Sequence, residues 1–381
     1  MNKNTTKVLV TGAKGFIGSN LCAALNNIKA GYDKTPGLSS ELEIFAYDIG
    51  SETHLDEYCR NADFIFHLTG IYRPKDHAEF MEENRGFTGK LLETLSKYGS
   101  RAPIMFASST QASLDNPYGR SKKSGEDLLL AYAEEKDTRT YIYRFPNIFG
   151  KWCPDCNSVV VTFCHNIARD LPITVSDRSY AITLVYIDDV ISELITLLRD
   201  IPDRTYCAVP LTHTVTLGCI VDLIYSFTEC REELSVPDMS DDFTKKLYAT
   251  YLTYLPPDTL SYPLRMNTDA RGSFTELIRT VDRGQFSINI TKPGIVKGNH
   301  LHNTKNEKFI VVSGKAVIRL RKAGETKIYE YYVSGDSIEM VEIPPGYAHN
   351  IENIGDDDIM IFMWSSECFD PDNPDTFYDK V

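Results

Sequence analysis

The chain has 381 residues, 42% of them hydrophobic, a formal net charge of −13 and nine cysteines. That length predicts two domains, and the acidic balance argues against a nucleic-acid surface. No apolar run reaches the length of a membrane span. The first strand pattern begins by Lys7, leaving no room for a signal peptide, and an odd number of scattered cysteines suits a reducing cytoplasm. Cys153 and Cys156 form a lone C-x-x-C, read as a loop coincidence because there is no second pair.

In chain order, residues 7–11 read as a buried strand that a glycine turn joins to a helix over 16–26. Further strands are predicted at 43–47, 63–68, 103–108 and 140–144, with helices at 78–97, 118–135, 188–199, 216–229 and 241–255. Alternation of this kind predicts a parallel sheet covered on both faces. The pattern changes near Pro256-Pro257. Beyond Arg271-Gly272 it becomes short strands at 286–290, 309–312, 316–320, 327–333 and 359–364, the signature of a compact β-barrel. The expected division is a reductase domain over 1–245, a linker over 246–266 and a barrel over 267–381.

Val8-Leu9-Val10-Thr11 runs into Gly12, Lys14, Gly15, Phe16, Ile17 and Gly18, a strand, glycine turn and helix start. Such a turn lets backbone approach a pyrophosphate held at a helix N-terminus. Tyr118 and Lys122 stand four apart, on one helix face. A cation there lowers the phenol pKa toward working pH. Ser108-Ser109-Thr110 ends the preceding strand and can offer a hydroxyl to a carbonyl. A surface Tyr–Lys pair is the bland alternative, and the glycine turn with the serine strand end argues against it. Asp48, at the end of the second strand, would accept from an adenosine ribose and favour NAD, whereas Lys14 could contact a 2′-phosphate.

Residues 6–245 resemble the extended short-chain dehydrogenase/reductases that act on nucleotide sugars. The resemblance rests on the 11–18 turn, His67-Leu68-Thr69-Gly70 beside the cofactor, Tyr143-Arg144-Phe145-Pro146-Asn147-Ile148-Phe149-Gly150, and Tyr186-Ile187-Asp188-Asp189-Val190. It implies that Ser109 orients a keto oxygen, with Thr110 as the substitute. Tyr118 then donates the proton, and Lys122 tunes Tyr118 and holds the nicotinamide ribose. Leu68 would flank the cofactor.

In the second half, His300 and His302 are two apart on a strand and share a face. Glu307 opens the next strand, and His349 follows Pro344-Pro345-Gly346. Three imidazoles and a carboxylate suit a divalent transition metal, with Zn, Fe, Mn and Ni all fitting. The spacing of Gly294, His300, His302, Glu307 and Gly314 resembles the first cupin motif. Pro344, Gly346, His349 and Asn353 resemble the second, with Gly335 further upstream than the family pattern. Arg271–Glu276, Lys297–His300 and Ile343–His349 are similar to keto-sugar epimerases whose counterpart of His300 is a base and not a ligand. The two resemblances conflict there. If His300 is a ligand, the base is another group, with Tyr347, Lys297 or a metal-bound hydroxide as candidates.

The whole chain resembles the bifunctional capsular-polysaccharide enzymes that form UDP-2-acetamido-2,6-dideoxy-β-L-talose on the route to UDP-N-acetyl-L-fucosamine. Trp152-Cys153, Ser261–Leu264, Lys305–Phe309 and Phe369–Thr376 carry the likeness. It implies C3 epimerisation of a UDP-linked 4-keto-6-deoxy amino sugar in a zinc cupin, and NADPH-dependent C4 reduction in the other domain. It also implies a homodimer in the cytoplasm, with no membrane or nucleic-acid partner. Asn147, Asn157 and Arg73 are polar candidates for the diphosphate or acetamido group, though Asn157 and Arg73 equally fit solvated loops. Rival readings are a 4-epimerase or dehydratase with a metal-stabilised dimerisation barrel, a dinucleotide sensor, and a metal oxygenase.

Overall fold

The computed structural model describes residues 5–38, 41–48, 54–70, 84–153, 158–280 and 282–381. Two compact units divide the chain. One comprises Met1–Ile224 with Asp242–Leu255, and the other Tyr225–Asp241 with Pro256–Val381.

The first unit runs β1 (Thr6–Thr11), α1 (Phe16–Lys29), β2 (Leu42–Tyr47), α2 (Leu55–Asn61), β3 (Phe64–His67), α3 (Gly86–Lys97), β4 (Ile104–Ser109), α4 (Pro117–Lys136), β5 (Thr140–Phe145) and β6 (Asn147–Phe149). It continues through α5 (Val159–Ile167), β7 (Ala181–Tyr186), α6 (Ile187–Arg199), β8 (Tyr206–Cys207), β9 (His213–Thr216), α7 (Leu217–Glu232), whose last turns cluster with the second unit, and α8 (Asp242–Leu252). Six strands make one parallel sheet in the order β2-β1-β3-β4-β5-β8.

Strand alternation explains the two layers. Val8, Val10, Phe64, Phe66, Met105 and Ala107 face one apolar cluster, with Leu21 and Leu25 of α1 and Leu194 of α6. Leu9, Ile65, Ile104 and Phe106 face the other, with Leu91 of α3 and Leu129 of α4. Strand order reverses between β1 and β3, and a crevice at such a switch point is where α/β sheets bind ligands. The expected strands and the Rossmann arrangement are present. The helix expected over 78–97 starts at Gly86, with 78–83 outside the described residues. A short sheet, β6-β7-β9, was not anticipated; β6 and β9 have only three and four residues, and β7 is buried only at Leu184 and Val185.

The second unit adds β10 (Met266–Asp269), β11 (Gly272–Thr280), β12 (Gly284–Thr291), β13 (Val296–Leu301), β14 (Glu307–Ser313), β15 (Lys315–Lys322), β16 (Ile328–Ser334), β17 (Met340–Ile343), β18 (Tyr347–Asn353), β19 (Ile359–Ser365) and β20 (Phe377–Tyr378). Two antiparallel sheets, β10-β11-β12-β19-β14-β17 and β16-β15-β18-β13-β20, enclose Phe309, Val311, Ile318, Leu320, Ile351 and Ile361. This is the cupin-like barrel that the spacing implied. Before it, the Arg279 amide donates to the Leu234 carbonyl at 2.7 Å, so the segment after α7 is stitched to the barrel unit.

Candidate functional site

The glycine turn has the geometry a dinucleotide needs. Gly12 has φ +71°, and a Cβ there would lie 2.8 Å from the Thr69 nitrogen. A Cβ on Gly18 would lie 2.0 Å from the Gly12 carbonyl, so α1 starts hard against the turn. Gly15 leads into α1 with no side-chain cap, leaving the Phe16 and Ile17 end of the helix to meet an anion. Both carboxylate oxygens of Asp48 accept the Lys14 amide at 3.1 Å, which fixes Asp48 beside the turn. Leu68 packs on the core behind it.

His67 has a structural part. It is fully buried, with Nδ1 2.9 Å from Thr11 Oγ1 and Nε2 2.9 Å from Thr88 Oγ1. Thr88 spends its hydroxyl proton on the Asn84 carbonyl, so Nε2–H donates to Thr88 and Nδ1 accepts from Thr11. Burial pushes this imidazole down to about 3, so it stays neutral.

Asn116 caps α4 by accepting the Gly119 amide at 2.7 Å, with Pro117 opening the helix. This sets half-buried Tyr118 one turn before Lys122 on the same face. Lys122 is buried, and its Nζ donates to the Ala107 carbonyl at 3.0 Å. Burial pushes its pKa down to about 8, against the opposing field of Glu126. Ser109 ends β4, and its Oγ accepts the Gln111 amide at 3.2 Å, leaving its own proton to donate. The reductase candidates thus come together at the carboxyl ends of the sheet.

One partner was missed from sequence. Glu126 is fully buried and accepts from Arg144 at 2.9 and 2.6 Å and from Ser108 Oγ at 2.5 Å. The signal was available, because Glu126 stands four residues after Lys122 and therefore on its face. A groove of about 440 Å³ beside this network is lined by Thr110, Arg144, Asn147 and Thr183 together with apolar Phe145 and Ile182. Arg73 and Asn157 lie outside the described residues. Cys153 is buried and disulfide-bonded, so reading it as a loop coincidence is corrected; Cys156 lies outside the described residues.

In the barrel, β13 carries His300, His302 follows just past its end, β14 begins at Glu307, and β18 carries His349. Their ligand atoms lie within 4.8 Å of one another. A bulge between Gly298 and His300, with Asn299 at φ +61°, offsets the register so that His300 faces His349. Glu307 Oε2 lies 3.4 Å from His302 Nε2 and 3.2 Å from His349 Nε2. Those three buried atoms have no hydrogen-bond partner. His302 Nδ1 faces the Asp375 carbonyl at 2.5 Å and His349 Nδ1 faces that of Tyr347 at 3.4 Å. Both rings therefore turn Nε2 lone pairs inward, as metal-binding histidines do. Burial and the two neighbouring imidazoles push His300 down to about 4, leaving it neutral and able to ligate. This donor set fits a borderline divalent ion such as Zn.

The four residues line a cavity of about 440 Å³ with Lys297, Glu276 and Asn289. Lys297 Nζ donates to Asn289 Oδ1 at 2.7 Å and to the Ile290 carbonyl at 2.9 Å. Burial lowers its pKa, with the Arg271 charge acting the same way and Asp269 opposing. Tyr347 is not among the lining residues and packs on the apolar cluster. Sequence reasoning also missed Asp375 as a partner of His302, since it lies 73 positions away.

Together these features define a Rossmann enzyme domain joined to a metal-donor cupin. Residues 8–206 match the NAD dependent epimerase/dehydratase family and residues 267–377 match the polysaccharide biosynthesis C-terminal domain. The chain is 40% identical over 376 residues to UDP-2-acetamido-2,6-beta-L-arabino-hexul-4-ose reductase of Pseudomonas aeruginosa, covering 97% of this chain and 98% of that one. The structure of the capsular polysaccharide assembling protein CapF from Staphylococcus aureus is 48% identical and superposes with a TM-score of 0.90, over 98% of this chain and all of that one. Over 124 residues the chain is also 29% identical to the spore coat polysaccharide biosynthesis protein SpsL of Bacillus subtilis, covering 29% of this chain and 81% of that protein. The chain belongs to the NAD dependent epimerase/dehydratase family, in its bifunctional capsule-sugar branch, and is an enzyme that uses a nicotinamide cofactor. Among the described residues, no helix is long and apolar enough to cross a membrane.

Proposed function

We propose that the chain epimerises C3 of a UDP-linked 4-keto-2-acetamido-2,6-dideoxy-hexose in the barrel. It then reduces the C4 ketone with NADPH in the Rossmann domain, giving UDP-2-acetamido-2,6-dideoxy-L-talose for capsule sugar synthesis. The observation that carries this reading is the pairing, in one chain, of a Ser109–Tyr118–Lys122 hydride-transfer set with a cavity holding metal donors and the half-buried Lys297. The order follows from chemistry. A C3 proton is acidic only while C4 is a ketone, because the resulting carbanion becomes an enolate, and reduction removes that acidity.

In the barrel, His300, His302, Glu307 and His349 would hold Zn, which when bound supplies a Lewis acid for the C4 oxygen. Lys297 faces the same cavity. Its lowered pKa suits it, of the three base candidates, to take the C3 proton, and Tyr347 is left to packing. In the Rossmann domain, Ser109 donates to the keto oxygen and Tyr118 delivers the proton. Lys122 keeps a positive charge beside the phenol and the ribose. Asn147 holds the sugar side of the groove. NADPH follows the family likeness, although the position of Asp48 favours NADH. A cytoplasmic homodimer completes the proposal.

The test is incubation with the UDP-4-keto sugar in D₂O, with and without NADPH. Deuterium should enter C3 without cofactor, and NADPH should be consumed only in its presence. Turnover with no net cofactor consumption would instead favour a 4-epimerase carrying a dimerisation barrel.

A further inference from the structure

The C-terminal segment does more than close the barrel. The β20 strand pairs with β13 through His300 opposite Tyr378 and Leu301 opposite Phe377. The Asp379 amide donates to the Asn299 carbonyl at 3.0 Å, at the bulge that sets His300. Just before β20, Phe369 and Thr376 line the metal-donor cavity, and the Phe369 amide donates to Gln285 Oε1 at 2.9 Å.

Asp375 holds the key position. Its carbonyl takes the His302 Nδ1 proton at 2.5 Å. Its carboxylate accepts the amides of Asn303, Thr304 and Lys305 at 2.9 to 3.1 Å, and the Thr304 hydroxyl at 3.1 Å. Residues 303–306 are the whole connection between His302 and Glu307. One residue thus fixes the tautomer of one ligand and clamps the loop that spaces it from the next.

We propose that Phe369–Tyr378 is a strap that sets the metal affinity of the barrel, with Asp375 as its positioning residue. This rests on the reading of the four donors as a metal site. The physical basis is general: a ligating imidazole is oriented, and its free nitrogen selected, by the acceptor on its other nitrogen. Asp375 has φ +39°, a conformation that asparagine tolerates well and alanine poorly. Asparagine also keeps one side-chain acceptor for the loop amides.

The experiment titrates the full-length protein, stripped of metal, with Zn against a fluorescent chelator. Asp375→Ala keeps the carbonyl that faces His302 but loses the carboxylate that clamps residues 303–305. It should weaken Zn binding by about 10-fold, the low end for an outer-shell partner, and Asp375→Asn should restore most of it. A second measurement needs no variant. Imidazole ¹⁵N spectra of the Zn-loaded wild type should show His302 with its proton on Nδ1 and metal on Nε2. Unchanged affinity in Asp375→Ala, or metal on Nδ1 of His302, overturns the strap while leaving the metal site standing. A wild type that binds no Zn overturns the metal site and the strap with it. If Asp375→Ala does not fold, the spectra decide.

Discussion

The two halves solve the placement of reactive groups in opposite ways. In the Rossmann unit the key polar groups are already satisfied by protein. Lys122 is bonded to a carbonyl, His67 to two threonines, and Glu126 to Arg144 and Ser108. In the barrel, Glu307 Oε2 meets His302 Nε2 and His349 Nε2 at 3.4 and 3.2 Å, and none of the three has a hydrogen-bond partner outside that cluster. A satisfied site is preorganised for an organic cofactor that binds along backbone and helix end. An unsatisfied one is stable only if something supplies the missing bonds, because buried unpaired polar atoms are costly. The first should therefore be hurt mainly in rate by side-chain loss, the second mainly in ligand retention and stability.

The sharpest way to break this comparison is Tyr118→Phe. Loss of the proton donor should cut NADPH oxidation by about 10²- to 10⁴-fold while C3 deuterium uptake continues at the wild-type rate. Simultaneous loss of both activities would mean that the sites are not independent. The barrel counterpart is His302→Ala. Elemental analysis should show the metal gone, and the melting temperature of the barrel should fall, with NADPH binding intact. Retained metal would reject the ligand assignment.

How much of this was legible follows from how each site is encoded. The glycine turn, Tyr118 and Lys122 are read within short windows, because a strand–turn–helix and a single helix face fix geometry locally. His300, His302 and Glu307 were legible for the same reason. Asp375 and Asn299 were not: their parts depend on β20 pairing with β13 and on a bulge, both products of tertiary register. The disulfide at Cys153 was likewise invisible, since spacing alone does not say that two sulfurs meet. Tyr347 shows the limit of reading a strand face. It stands two residues before His349 and on that face by alternation, yet its side chain packs on the apolar cluster and is not among the residues lining the cavity.

A smaller effect should come from Glu126→Gln. Removing one partner of a buried pair costs about 3 kcal/mol, the low end of the range, because Arg144 can rehydrate; the Arg144 side chain is 32% exposed. Chemical denaturation measures it. A cost under about 0.5 kcal/mol would place the pair with surface ion pairs, and Glu126 would then have little hold on α4.

The finest test uses the titration of Lys122, where activity and stability should move in opposite directions. Burial lowers its pKa to about 8, from an ordinary value of 10.5. Below about pH 8 the ammonium is present and can lower the Tyr118 phenol pKa, so reduction should decline as pH rises through that value. Stability has the other sign. Between about 8 and 10.5 the unfolded chain carries a proton on this lysine that the folded chain lacks, so unfolding free energy contributed by this group rises with pH. The Glu126 charge opposes the depression, so Glu126→Gln should move the decline in kcat/KM to lower pH, beyond any loss of stability. Lys122→Met should remove this lysine's share of the stability slope in that window, leaving the opposite slope of the buried thiols and phenols, whose pKa values burial raises. A slope unchanged by the substitution would assign the titration to other groups and leave Lys122 an ordinary, fully charged lysine.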